Sequence, residues 1–519
     1  MENQIETQPK KLWHDLPVLL LVFSVILFRT SYTVADPDLW GHVLYGQEML
    51  AAGKIDLPDT YSYLSEKNDW INHEWLCEVK FATAFDLFGS AGLVLLKTSL
   101  VMALFLSIYI DFRLQGAGAF RAGLVLLGVS FVMMTGLQTV RPHIFTYLCL
   151  FWMLVVIRAA GDGRLKLLWF TPLLTVIWIN LHGGILAGLA VLYCWMGTYG
   201  LLELYRRRLS LATCLQFAAI VVLTMAATCV NPFGWELPRF LFRTLFDTRV
   251  ENAEWAALSL TTPDGMMYAV LVLASIWGLW KSTKPRSAPT ILSYVLIAIQ
   301  PLDAVRHLPL FGVAFAVLCG RHVFDAWQHL APDDEEETHP LHRKNRVMTG
   351  LCVACSAALT VVSWPNLFRI HLDPSQFEYP TRAVAYMKEK ELRGNTAMLF
   401  EWGEYVIWHL SPGIQVSYDG RRETVYSEKI RNENFDWYYG TGDWDAVLDN
   451  YPTQLALVSK AFPCFEKMQQ KEGWTLLYED ETAAIYVTDE YANTLEAESL
   501  EVPESLLKIS SDGRGLYFP

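Results

Sequence analysis

LPVLLLVFSVILFRTSYTVADPDLWGH, residues 16–42, decides how the rest of the chain is read. Its first part, Leu16 to about Val34, is an apolar run of the length that crosses a bilayer core, roughly 17–25 residues as a helix. Lys10 and Lys11 precede it and no small-residue cleavage site follows, so it reads as an uncleaved anchor. Its second part, Asp36-Pro37-Asp38, sets two carboxylates at the end of that span, just before a helical pattern. A membrane helix ending in paired acids frames two questions: how many more spans follow, and which polar groups meet those acids.

The composition answers the first. Of 519 residues 53% are hydrophobic and 18% charged, with a positive mean hydropathy. A soluble chain of this length needs more charge to cover its surface. The apolar excess falls in repeated blocks, which gives about eleven transmembrane helices. The net charge of −13 excludes nucleic acid as a partner, because phosphate backbones are held by clustered Lys and Arg. Seven of the nine cysteines lie in apolar blocks, where a thiol packs as a small hydrophobe, and Cys352-x-x-Cys355 is read the same way.

Basic residues set the orientation. Lys10 and Lys11, Arg113 and Arg121, Arg158 to Lys166, Arg206 to Arg208, Lys281 to Arg286, and Arg321 with Arg343 to Arg346 fall on alternate connections. These connections are assigned to the cytoplasm, with the acidic run 333–337 in the last of them. The expected organisation is a cytoplasmic N-terminus over 1–15 and a membrane domain over 16–365. That domain carries outer loops at 35–89 and 231–265. A soluble, extracytoplasmic α/β domain follows over 366–490, with a tail over 491–519.

Loop 35–89 carries ten acidic residues against Lys54, Lys67 and Lys80. Two helices along the membrane surface are expected in it, Leu39 to Ala52 stopped by Gly53 and Trp70 to Leu87 stopped by Gly89. Turn and short extended chain separate them at Asp56-Leu-Pro-Asp59 and Tyr61-Ser-Tyr63. The α/β domain is read from strand-like runs at 395–400, 415–418, 454–459, 474–478 and 483–487, the last two forming a hairpin around 479–482.

The chemistry gathers on the outer connections. Asp38 is placed to cap the helix it begins; alternatively Asp36 or Asp38 is a catalytic base. His42 lies one helical turn beyond Asp38, and Asn72-His73-Glu74-Trp75 supplies a second imidazole and carboxylate. Asp38, His42, His73 and Glu74 have the donor types of a divalent-cation site for Mg or Mn, with solvated carboxylates as the other reading. Outer turns should be poor in Arg, yet they hold Arg141-Pro-His143, Asn180-Leu-His182, Asn231-Pro-Phe-Gly234 with Glu254-Trp255, and Arg306-His307. Ionisable groups at membrane depth are costly and mark substrate paths. Arg141 and Arg306 suit a phosphate through the planar fork of the guanidinium. Trp40, Trp70, Trp75 and Trp255 read as an interfacial belt, or else as a surface for stacking a sugar. Asp419-Gly-Arg421-Arg422 follows a strand and reads as a tight turn with solvated charges, or as a ligand site at the end of the sheet.

Asp36-Pro-Asp38-Leu-Trp40 with His42, then His73-Glu74-Trp75-Leu76, Arg141-Pro142, Asn180-Leu-His182-Gly183, Asn231-Pro232 and Arg306 resemble the C-type (GT-C) glycosyltransferase superfamily. Within it the pattern is similar to bacterial protein O-mannosyltransferases and aminoarabinose transferases. The resemblance implies transfer of a hexosyl or pentosyl group from a polyprenyl-phosphate donor to a lipid, glycan or protein acceptor, outside a bacterial inner membrane. It maps the family's catalytic carboxylate onto Asp36 or Asp38 and a second acid onto Glu74. The residues expected to bind substrate are His42, His73, Arg141, His143, Asn180, His182, Asn231, Arg306 and His307. A flippase for lipid-linked saccharides is one alternative. It should carry ionisable groups at mid-membrane, where these spans are nearly free of them. An oligosaccharide ligase or polymerase is another, and it need not depend on Asp36 or Asp38.

Overall fold

The computed structural model of the chain describes residues 16–55, 58–65, 70–245, 253–331, 343–495 and 518–519. The N-terminal lysines, Asp56, the acidic run 333–337 and nearly all of the expected tail lie outside the described residues.

Among the described residues seven helices are long and apolar enough to cross a membrane, from Trp75–Leu114 to Val347–Phe368, and four further apolar helices are shorter, at 10–17 residues. The first of these, Leu16–Ser31, ends where the backbone turns extended at β1, Thr33–Val34. The next helix is Asp38–Ala52, stopped as expected by Gly53 in the left-handed region at φ 62°. The second loop helix is not separate from the span behind it. Trp75–Leu114 runs on through a single break at Gly89 (φ 60°, ψ −148°), a conformation open to glycine because it has no Cβ.

β1 is short but holds the acid pair in place. It lies parallel to β2, Ile370–His371, on the segment entering the C-terminal domain, while Val34 bridges Thr139 on its other side. The Val34 N–H donates to Gln138 O (3.1 Å) and the Ala35 N–H to His371 O (2.9 Å). The residues just before Asp36 are thereby tied to the turn that carries Arg141 and to the C-terminal domain.

That domain is a five-stranded mixed sheet in the order β4-β3-β5-β7-β6, formed by β3 Gly394–Met398, β4 Ile414–Val416, β5 Leu455–Ser459, β6 Trp474–Glu479 and β7 Ala483–Thr488. The expected strands are all present. β3 pairs in parallel with β4 and β5, and the β6–β7 hairpin joins antiparallel to β5. The helices Thr381–Glu389, Gly403–Leu410 and Glu428–Tyr439 complete the α/β unit. The free edge of β4 does not face solvent. Val416 N–H donates to Tyr61 O (2.8 Å) and Ser62 bridges Val416, so the first loop adds an extended segment to the sheet and covers its edge.

One hydrophobic core therefore spans loop 35–89 and the C-terminal domain, and a second fills the helical bundle. Trp40 and Trp70 lie in the first, 1% and 6% exposed, which removes them from the interfacial belt expected for them. Phe518 packs there too, its ring 4.4 Å from that of Trp40. The charged side chains held within the bundle lie toward the ends of its helices. Lys97 is buried at 1% exposure, and its Nζ donates to Thr30 O (2.8 Å) and Thr33 Oγ1 (2.7 Å), so it caps the end of the first helix from within the bundle. Asp111 pairs with Arg158 (2.5 Å) and Asp162 with Arg321 (2.6 Å), all near the opposite end of the helices from Asp36.

Candidate active site

Three carboxylates converge on one guanidinium. Arg141 Nε meets Asp36 Oδ2 at 2.8 Å, Nη2 meets Asp38 Oδ2 at 2.8 Å, and Nη1 meets Glu254 Oε1 at 2.7 Å. The β1 ladder fixes the acid side of this cluster. Pro142 fixes the other, because it starts the helix His143–Gly161 and leaves Arg141 in the preceding turn.

The two aspartates differ in their surroundings. Asp36 is fully buried, and its Oδ1 accepts the backbone N–H groups of Asp38 and Leu39, both at 3.1 Å. Asp36, not Asp38, is the residue that caps this helix. Asp38 is the first helical residue, and its side chain is 31% exposed. Glu254, at 44%, is the most open of the three. Arg141, expected as a phosphate ligand, has each of its nitrogens facing a carboxylate in this structure, the outermost of them the exposed Glu254.

A second cluster adjoins the first. Glu74 faces three imidazoles: His182 Nε2 at 3.4 Å, His73 Nε2 at 3.8 Å and His42 Nε2 at 3.9 Å. His42 Nδ1 lies 3.2 Å from Glu78 Oε1, whose other oxygen takes the Asn72 amide. Glu78 sits one turn beyond Glu74 on the same helix face, a spacing that could have drawn attention to it. On His182, Nδ1 accepts the Gly184 N–H (3.0 Å), so the neutral ring carries its proton on Nε2, toward Glu74.

Burial alone would raise the Glu74 carboxyl, but His73, His42, His182 and Arg141 together hold it down to about 2. Burial would lower His42, yet its hydrogen bond to Glu78 and the charges of Glu74, Glu78 and Asp38 push it up to about 9. Burial lowers His182 to about 4, against the pull of Glu74. At neutral pH the charged pair is therefore His42 with Glu74. The sign of the stability follows from linkage. The Glu74 contribution is complete above the ordinary carboxylate range and is lost as pH falls toward about 2. The His42 contribution is complete below 6.5 and is lost as pH rises through about 9. The purified protein is expected to have its highest Tm between about pH 5 and 6.5 and to lose stability toward pH 9. In His42→Asn that alkaline decline should be much flatter; a decline equal to wild type would reject the assignment.

Arg306 stacks on Trp255, 4.5 Å from the ring, and its charge reaches both His182 and Tyr147. Asp38, Glu74, Arg141, His182 and Arg306, from five separate stretches of sequence, thus share one neighbourhood. Other expected site residues are held by the fold. Asn180 accepts from Trp75 Nε1 (3.1 Å) and donates to Val230 O (2.8 Å). Asn231 closes its own turn, its Oδ1 accepting the Phe233 N–H (2.8 Å). His143 Nε2 lies 2.8 Å from Gly136 O and His307 Nδ1 3.4 Å from Gln300 O. The His73 ring also packs near Phe240. Among the described residues no group of three or more His, Cys, Asp or Glu side chains is arranged to hold a metal ion. Of the residues expected to hold Mg or Mn, Asp38 is drawn to Arg141, while Glu74 faces the imidazoles of His42, His73 and His182.

The C-terminal domain supplies the back of the site. Glu404 Oε2 accepts the Gly41 N–H at 3.0 Å, one turn along the helix from Asp38. Arg421 pairs with Asp59 Oδ1 (2.8 Å) and Asp419 Oδ2 (2.7 Å), at 3% side-chain exposure. The charges of Asp419-Gly-Arg421 are therefore buried, not solvated.

No family model and no curated protein matches this sequence. Solved structures do match. ArnT from Cupriavidus metallidurans, bound to undecaprenyl phosphate, is 12% identical with a TM-score of 0.52, over 95% of this chain and 99% of that one. The arabinofuranosyltransferase AftD from Mycobacteria is 11% identical with a TM-score of 0.50, over 93% of this chain and 42% of that one. The chain shares its overall fold with these two proteins, in keeping with the fold expected from the sequence.

Proposed function

We propose that this chain, with its C-type glycosyltransferase fold, moves a sugar from a polyprenyl-phosphate carrier to an acceptor hydroxyl at the outer face of a bacterial inner membrane. The N-terminus lies in the cytoplasm, the C-terminal domain outside, and the acceptor is a lipid, glycan or protein. The observation that carries this reading is Asp38: a part-exposed carboxylate, oriented by Arg141, which also holds Glu254, the neighbour in sequence of the Trp255 on which Arg306 stacks.

In the proposed reaction Asp38 takes the acceptor's hydroxyl proton as its oxygen bonds to the anomeric carbon. The bond from that carbon to the phosphate oxygen breaks, and polyprenyl phosphate leaves with the electron pair. A single displacement inverts the anomeric centre. Asp36 and Arg141 hold Asp38 in place, and Glu74 with its imidazoles receives the acceptor. Charge accumulating on the departing phosphate is the largest need of the transition state. Arg306 answers it, with the Nη1 edge of Arg141 once the exposed Glu254 gives way. No step is routed through a metal ion. That ArnT binds undecaprenyl phosphate in the same fold supports a carrier of this class.

The test is transfer of labelled sugar from synthetic polyprenyl-phosphate donors by the protein in lipid nanodiscs, together with binding of undecaprenyl phosphate itself. Arg306→Ala should weaken that binding by about tenfold or more, the worth of one charge-assisted hydrogen bond at about 1.5–3 kcal/mol. Glu254→Gln should strengthen it, because a neutral amide competes less for Arg141. A dissociation constant unmoved by both changes would reject this placement of the phosphate.

A further inference from the structure

Two glycines mark the place where the C-terminal domain meets the first loop. A Cβ on Gly41 would strike Glu404 Oε2. A Cβ on Gly420 would sit 2.7 Å from Asp38 Oδ1 and 2.7 Å from Glu404 Oε1. The oxygen of Asp38 that Arg141 does not hold therefore flanks the same point as a carboxyl oxygen of Glu404. Only the missing side chains of Gly41 and Gly420 let the two acids come so close.

We propose that Glu404 is a positioning residue that the C-terminal domain supplies to Asp38, fixing the edge of that carboxylate which Arg141 leaves unheld. The proposal rests on the reading of Asp38 as the base.

Geometry supports it first. Glu404 is 5% exposed and lies in the first turn of Gly403–Leu410, buried with Tyr405, Val406 and Ile407 of the same helix. Gly403 lets the start of this helix close on Asp419, where a Cβ would sit 2.7 Å from Asp419 Cβ. The Gly41 N–H fixes one carboxyl oxygen of Glu404, leaving the other toward Asp38. Charge supports it second. Glu404 is faced by Asp38 from the Asp38 helix, Glu78 from the long helix, and Asp419 with Arg421 from the turn. Burial, with the negative charges of Asp38 and Asp419, raises its pKa well above the usual carboxyl value. A carboxyl that keeps its proton can donate a hydrogen bond to a neighbouring carboxylate, whereas two ionised acids in this position would repel. Asp38 itself also faces Asp36, Arg141, His42 and Glu401.

A positioning role separates kcat from KM. Misplacing a reacting group by about 1 Å costs up to about 100-fold in rate. The full-length protein in nanodiscs should show kcat lowered by about 10- to 100-fold in Glu404→Ala, with KM for the donor within about twofold. Glu404→Gln keeps the shape and a donor N–H, and should restore most of the rate. Gly420→Ala keeps the Glu404 carboxyl but forces a methyl against both acids, which must move apart, and should lower kcat as E404A does. If E404A fails to fold, the contrast between E404Q and G420A carries the test. Wild-type kcat in a folded E404A or G420A, with Asp38→Asn inactive, overturns this inference and leaves the proposed function standing. E404Q as slow as E404A overturns it as well, since a lost charge would then be the cause. Absence of transfer by the wild type with every polyprenyl-phosphate donor overturns both.

Discussion

Asp38→Asn is expected to lower kcat by about 10²–10⁴-fold, the usual contribution of a positioned general base, while donor binding stays near its wild-type value. Asn has nearly the volume of Asp and can still accept from Arg141 Nη2 through its carbonyl oxygen, so the cluster loses a base without losing its shape. Asp36→Asn makes the necessary contrast. Asp36 is wholly buried, accepts two backbone N–H groups and faces Arg141 Nε. Its replacement weakens a helix cap, worth about 1 kcal/mol, and removes a buried partner charge from Arg141. The D36N protein should therefore lose thermal stability, and its activity should fall with the folded fraction. Transfer assays at saturating donor, paired with Tm measurements, separate the two. A D38N protein with wild-type kcat would exclude Asp38 as the base and favour a ligase or polymerase that works without it. Equal losses of stability in both variants would reject the division of roles.

Much of this site could be read from the sequence, for a definite reason. Alternating basic clusters place the ends of the spans on two sides, and that alternation puts Asp36, Asp38, Arg141, His182 and Arg306 at one end of the bundle. Local rules also served where the interaction is local: Gly53 stops its helix, the loop 479–482 forms its hairpin, and the first loop keeps its extended Tyr61-Ser-Tyr63 segment. Local rules failed where one residue separates two roles. Asp36 and Asp38 are both plausible caps in the sequence, and only the buried backbone of β1 makes Asp36 the one that turns inward. Arg141 shows a different limit. A guanidinium in an outer turn suggests a phosphate, but its partners Asp36, Asp38 and Glu254 come from loops about 100 residues away on either side. Glu404 and Asp59 were harder still, since their partners are set by how the sheet edge at β4 meets the first loop, across some 360 residues of chain. Lys97 was missed because a lysine amid apolar residues reads as an interruption of a span, whereas here three backbone and hydroxyl oxygens surround it.

Arg421→Ala is expected to be the most destabilising single change in the C-terminal domain. The guanidinium is enclosed by Tyr45, Tyr61 and Trp70, with its centre 5.1–5.5 Å from each ring. It bonds Asp59 from the first loop and Asp419 from its own turn, and Asp419 also takes the Tyr426 hydroxyl at 2.6 Å. Removing the cation leaves two buried carboxylates facing each other without compensation, which costs about 3–5 kcal/mol for a broken buried pair. Arg421→Lys should recover little of it, because a single ammonium cannot bond both Asp419 oxygens and Asp59 from one place among the three rings. Since the same contact fastens the first loop to the sheet, the effect should reach past the domain itself. R421A is expected to expose the first loop to protease, to lower Tm by several degrees, and to lose transfer even though Arg421 touches no reacting group. Removing the acids with the cation gives the internal check. Asp59→Asn together with R421A should regain part of the lost stability, because one uncompensated charge is gone. A double variant no more stable than R421A would mean that packing against Tyr45, Tyr61 and Trp70, not charge, holds the domain to the loop.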